Sequence, residues 1–137
     1  MLARYAVAYL ATGITFAAID AIWLSWAGAN FYRPVIGSLM ADKPRMDAAI
    51  AFYLIYLAGI VFFAVSPAMA HGGAGWRTAL LYGAAFGFFA YATYDLTNQA
   101  TLKIWALKIT LADMAWGSFV TAAAATMGYL VTKAVVK

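Results

Sequence analysis

Four stretches of this chain stay apolar for about the thickness of a bilayer: roughly residues 5–29, 48–65, 76–98 and 110–131. A helix needs roughly 20 residues to cross a hydrocarbon core of about 30 Å. Lipid offers no partner to a backbone N–H or C=O, so only helices and closed barrels can span it. The four runs are continuous and lack the alternation of barrel strands. They predict an all-α integral membrane protein, a single four-helix transmembrane domain over residues 1–137. Composition agrees. Apolar residues make up 66% of the chain and charged residues only 10%, against about 45–50% and about 25% in soluble domains. A soluble chain this small has too much surface for so few charges.

The first run is too long for a signal-peptide core, and Asp20 interrupts it; it reads as a retained helix. The 30–47 link, NFYRPVIGSLMADKPRMD, has Phe31, Tyr32, Val35, Ile36, Leu39 and Met40 at helical spacing between two prolines. It is expected to form a short amphipathic segment at the interface. Pro67 is expected to end the second helix. The 68–75 link is a glycine-rich turn in which His71 has no assigned role, and the 99–109 link sets Trp105 between Lys103 and Lys108 as an interfacial anchor. Gly83 and Gly87, with Gly117, Thr121 and Ala125, form small-residue faces. Such faces suit packing within one bundle and, as the sharper alternative, a homodimer.

Several classes are excluded. The chain has no cysteine and one histidine, so there is no thiolate chemistry and no His-cluster metal site within one chain. Nine cations are scattered without a basic run, which argues against nucleic acid as a partner and for the lipid bilayer. Both termini fall on one side, with Arg4, Arg77, Lys133 and Lys137. Arg33, Lys43, Arg45, Lys103 and Lys108 lie on the other. That balance leaves the orientation unreadable by the positive-inside rule, and dual insertion would look the same.

The five acids are all aspartates. Asp42 and Asp47 lie in a loop. Asp20, Asp95 and Asp113 lie in apolar helices, where each costs roughly 2.5–3.5 kcal/mol near the centre. Because successive helices alternate in direction, all three fall toward the side holding the 30–47 and 99–109 links. Asp20 precedes Trp23, and Asp113 precedes Trp116, by three residues, so each pair shares a helix face. Asp95 shares a face with Tyr91, Asn98 and Gln99. The candidate binding or proton-coupling set is Asp20, Trp23, Tyr91, Asp95, Asn98, Asp113 and Trp116, converging on one pocket with Asp20 the most buried. Three anions there require compensation: by Arg33, Lys103 or Lys108, by a metal held on Asp20, Asp95 and Asp113, or by a proton on at least one carboxyl. No metal is expected, and the cofactor is unknown. Structural readings compete. Thr110 and Asp113 fit a capping box, Asp95 could pair with Lys103 or Lys108, and the aromatics fit an interfacial belt.

The segments AIDAIWL (18–24), NFYRPVIGSLM (30–40), AFYLIYLAGI (51–60), YATYDLTNQATLK (91–103) and TLADMAWG (110–117) carry a resemblance over nearly the whole chain. The chain resembles the bacterial predicted membrane proteins grouped as domain-of-unknown-function family 2177. That resemblance implies a four-helix protein of the inner (cytoplasmic) membrane and no established activity. Three functional classes follow from the residues. The first is a transporter- or channel-like protein with protonatable Asp20 in an aromatic pocket. The second is a membrane-embedded enzyme acting on lipid, and the third is an accessory protein whose polar face holds a partner helix.

Overall fold

The computed structural model describes residues 1–70 and 72–136. His71, read above as a turn residue without a role, and Lys137, counted above among the terminal cations, lie outside the described residues. Four long helices follow in order: α1 (Leu2–Leu39), α2 (Met46–Met69), α3 (Trp76–Thr101) and α4 (Leu107–Val135). No strand occurs among the described residues, so the protein is an all-α membrane bundle. Helices α1, α2 and α4 are long and apolar enough to cross a membrane. Helix α3 is also long enough, at 26 residues, but it is less apolar because Asp95, Asn98, Gln99 and several threonines lie in it.

The segment expected to be amphipathic is helical and joins α1 without a break. It passes through a wide π-type turn at Gly28–Tyr32, an α-turn at Arg33–Ile36 and a tight turn at Gly37–Leu39. In the wide turn the Arg33 N–H donates to Gly28 O, five residues back. Pro34 follows at once. The same device recurs in α2: Ser66 N–H donates to Val61 O, and Pro67 comes next. Proline lacks a donor, and its ring clashes with the carbonyl four residues back. A widened turn absorbs both defects. That is why α2 runs on to Met69 instead of ending before Pro67.

The core is built on close approach. Along the α3–α4 seam, a Cβ added to Gly83 would lie 3.0 Å from Thr121 O, and one added to Gly87 would run into Gly117 O. The small-residue faces therefore pack on each other within the chain. Helix α1 crosses α4 where Gly128 faces Thr12. The wide turn of α2 buries Val61, Ala64 and Val65. Phe16 is fully buried, with edge contacts to Tyr53 and Tyr56 at 5.7 and 5.5 Å between ring centroids. Tyr56 bonds to Thr121 through their hydroxyls at 2.8 Å.

Candidate functional site

The site forms at the bundle end where α1 hands over to α2 and α3 to α4. The α3–α4 link is pinned there: Trp105 Nε1 donates to Thr110 Oγ1 at 2.9 Å, and Thr110 donates to Gln99 Oε1 at 2.7 Å. Helix α4 begins at Leu107 with Ala106 as its cap residue and no side-chain cap. Asp113 thus sits well inside the helix, and the T-x-x-D pattern is not a capping box.

Asp20 and Asp113 exchange tryptophans across the α1–α4 interface. Trp116 Nε1 of α4 donates to Asp20 Oδ1 of α1 at 3.1 Å. Trp23 Nε1 of α1 donates to the Tyr32 hydroxyl at 3.0 Å, and Tyr32 donates to Asp113 Oδ1 of α4. The two indoles stack between these bonds, 4.6 Å apart and 13° from parallel. The expectation had placed each Asp with the Trp on its own helix. Antiparallel packing explains the exchange. A three-residue step is about 4.5 Å along a helix axis, and it runs toward the loop end in α1 but away from it in α4. Each tryptophan therefore lies level with the other helix's aspartate. A second donor to Asp20 comes from Tyr53 of α2, which the sequence reading did not name. Its signal was a hydroxyl in α2 at the depth where Asp20 needs a partner.

Asp95 departs from expectation in two ways. It is the most buried of the three at 0% exposure, against 6% for Asp20 and 7% for Asp113. Neither of its oxygens has a hydrogen-bond donor. The Asp113 carboxyl is its nearest acidic neighbour, so the two acids of α3 and α4 face each other without a donor from the chain on Asp95. Lys103 and Lys108, offered above as its ion-pair partners, are exposed, as is Arg33. Lys108 instead sits 5.9 Å over the Phe31 ring. The three candidate counter-charges thus stay outside. Among the described residues, no three acidic or histidine side chains are grouped closely enough to hold an ion.

The space between these groups is a cavity of about 310 Å³ lined by Asp20, Trp23, Leu24, Tyr32, Ile36, Met40, Tyr91, Tyr94, Trp105, Asp113 and Trp116. Of the predicted residues, Asp20, Trp23, Tyr91, Asp113 and Trp116 line it. Asp95 lies behind Asp113, and Asn98 is half-buried beside Tyr94. Tyr32, Tyr94 and Trp105 are additions to the candidate set. The lining is aromatic, aliphatic or acidic, with no cationic side chain. A second cavity of about 300 Å³, lined by Phe52, Ala90, Tyr91, Tyr94 and Asp113, shares three of these walls. Gly117 makes room for the Tyr91 ring, which any side chain there would strike.

No curated protein and no solved structure matches the chain. A family model described as Predicted membrane protein (DUF2177) matches residues 5–130, and this integral membrane protein, with its buried carboxylate–aromatic site, belongs to that family.

Proposed function

We propose that the chain is a transporter-like protein that binds a small cation in the cavity between Asp20 and Asp113. The observation that carries this reading is the lining: two buried carboxylates and a stacked indole pair, with no cationic side chain among the described lining residues. Buried anions need compensation, and the described lining residues supply no positive charge. Aromatic faces attract cations, by about 2 kcal/mol or more where water is excluded.

The chain's own groups suggest a coupling step. A proton shared by Asp95 and Asp113 and a cation arriving at Asp113 compete for the same negative charge. The reading takes all four helices as membrane spans, α3 included, since Asp95 is buried and the hydroxyls of Thr93, Thr97 and Thr101 bond to carbonyls of α3 itself. It also places the protein in the inner membrane of a bacterium, where helical bundles reside, whereas the outer membrane takes barrels.

Tetramethylammonium added to purified protein in detergent tests the proposal, with indole fluorescence as the readout. A saturable change is expected, weakened at least tenfold, or by about 1.4 kcal/mol, in both Asp20→Asn and Asp113→Asn. No saturable change, or full affinity in both variants, would overturn it.

A further inference from the structure

The second cavity adjoins the first. It shares Tyr91, Tyr94 and Asp113 with the acidic cavity and adds Phe52 from α2 and Ala90 from α3. Its chemistry differs. The one charged group among its described lining residues is Asp113, which is shared with the first cavity; the rest is Phe52, Ala90 and the rings of Tyr91 and Tyr94 with their hydroxyls. It also lies near the surface: Phe52 is 49% exposed and Tyr94 58%. Both belong to the bundle's sides rather than to its linker segments, so the side of this cavity faces the bilayer. A compact inorganic cation would leave this second volume unused. An ion with a hydrocarbon arm would fill both volumes and put each part in its matching solvent.

We propose that the preferred substrate is a lipophilic cation, such as an alkylammonium, with its charged head between Asp20 and Asp113 and its apolar arm in the cavity under Phe52 and Ala90. This inference rests on the cation reading of the same site. Phe52 and Ala90 line only the second cavity, so they set selectivity for the arm without contributing to the head site. Tyr91 and Tyr94 form the wall common to both parts.

The two halves of the site separate in a comparison of tetramethylammonium with butyltrimethylammonium, a water-soluble ion with three more methylenes. Each methylene buried is worth about fourfold in affinity. The longer ion should bind at least tenfold more tightly to the unaltered protein. Ala90→Leu fills the second cavity and should remove that advantage while leaving tetramethylammonium affinity within about twofold. Phe52→Ala, a change at a half-exposed position that the fold tolerates more readily, should reduce the advantage by stripping the cavity of its outer wall. Equal affinity for the two ions in the unaltered protein would overturn the assignment of the arm and leave the cation reading standing. So would an advantage that survives in every folded variant. Absence of binding by either ion would overturn both.

Discussion

The two halves of this bundle solve opposite packing problems. Toward the termini, α1, α3 and α4 meet through glycine, alanine and threonine. A single added Cβ at Gly83, Gly87 or Gly128 would collide with the facing helix. Toward the 40–45 and 102–106 links the same helices carry tryptophan and tyrosine, and two cavities of about 300 Å³ lie between them. Small residues let the backbones of the seam approach closely, and the open space on that side lies at the surface, around Met1 and Met69 and beside Ala84 and Ala122. Large rings, propped by hydrogen bonds to carboxylates, hold the helices apart and leave the interior hollow. The boundary is visible at one contact: Gly117 of the tight seam receives the Tyr91 ring of the hollow half. Stability and chemistry are thus divided lengthwise along one set of helices.

Substitutions on either side of that boundary test the division. The largest effect is expected at Gly87→Leu. The obstacle there is the Gly117 carbonyl, part of a helix backbone that cannot give way, so overpacking should cost on the order of 3 kcal/mol. Thermal unfolding in detergent should show a large loss of stability, or no folded protein at all. A Gly87→Leu protein that unfolds at the unaltered temperature would mean that the seam is loose and the contrast between the halves is false.

In the hollow half the effect should be on binding and not on folding. Trp116→Phe keeps a ring beside Trp23 but removes the N–H that reaches Asp20. Asp20 keeps its Tyr53 donor, so the fold should be retained, while tetramethylammonium affinity should fall by tenfold or more, about 1.4 kcal/mol. Loss of the fold in this variant would make the aromatic end a packing element like the seam. The smallest effect belongs to the exposed cations. Lys108→Ala removes only a contact over Phe31 and should shift stability by less than about 0.5 kcal/mol, with binding unchanged. A strong loss of binding would show that Lys108 does reach the carboxylates in the working protein.

Particular residues show how much of this was legible beforehand. Asp20, Asp95 and Asp113 stood out because ionisable groups in apolar runs are costly wherever the helix turns. The glycine and alanine faces were equally readable, since their spacing follows the helical period. Tyr53 was not, because a tyrosine in an apolar run is compatible with core, lipid or site. Thr110 was misread as a cap because the start of α4 depends on the linker bonds of Trp105 and Gln99. Pro67 was misread as a terminator because its pattern does not announce the wide turn that precedes it.

The sequence by itself determined the class of structure. Runs of apolar side chains long enough for a bilayer leave the backbone no choice but to bond within helices, and this is a local property of composition. The tertiary structure alone decided how the polar groups are shared. Which tryptophan meets which aspartate depends on the antiparallel offset of α1 and α4 and on the rotation of each helix about its axis. The same two quantities bury Asp95 behind Asp113 and leave Arg33, Lys103 and Lys108 outside. A one-dimensional pattern specifies the residues on a helix face but not the depth at which that face meets its neighbour, and here that depth decides which aromatic donors Asp20 and Asp113 meet.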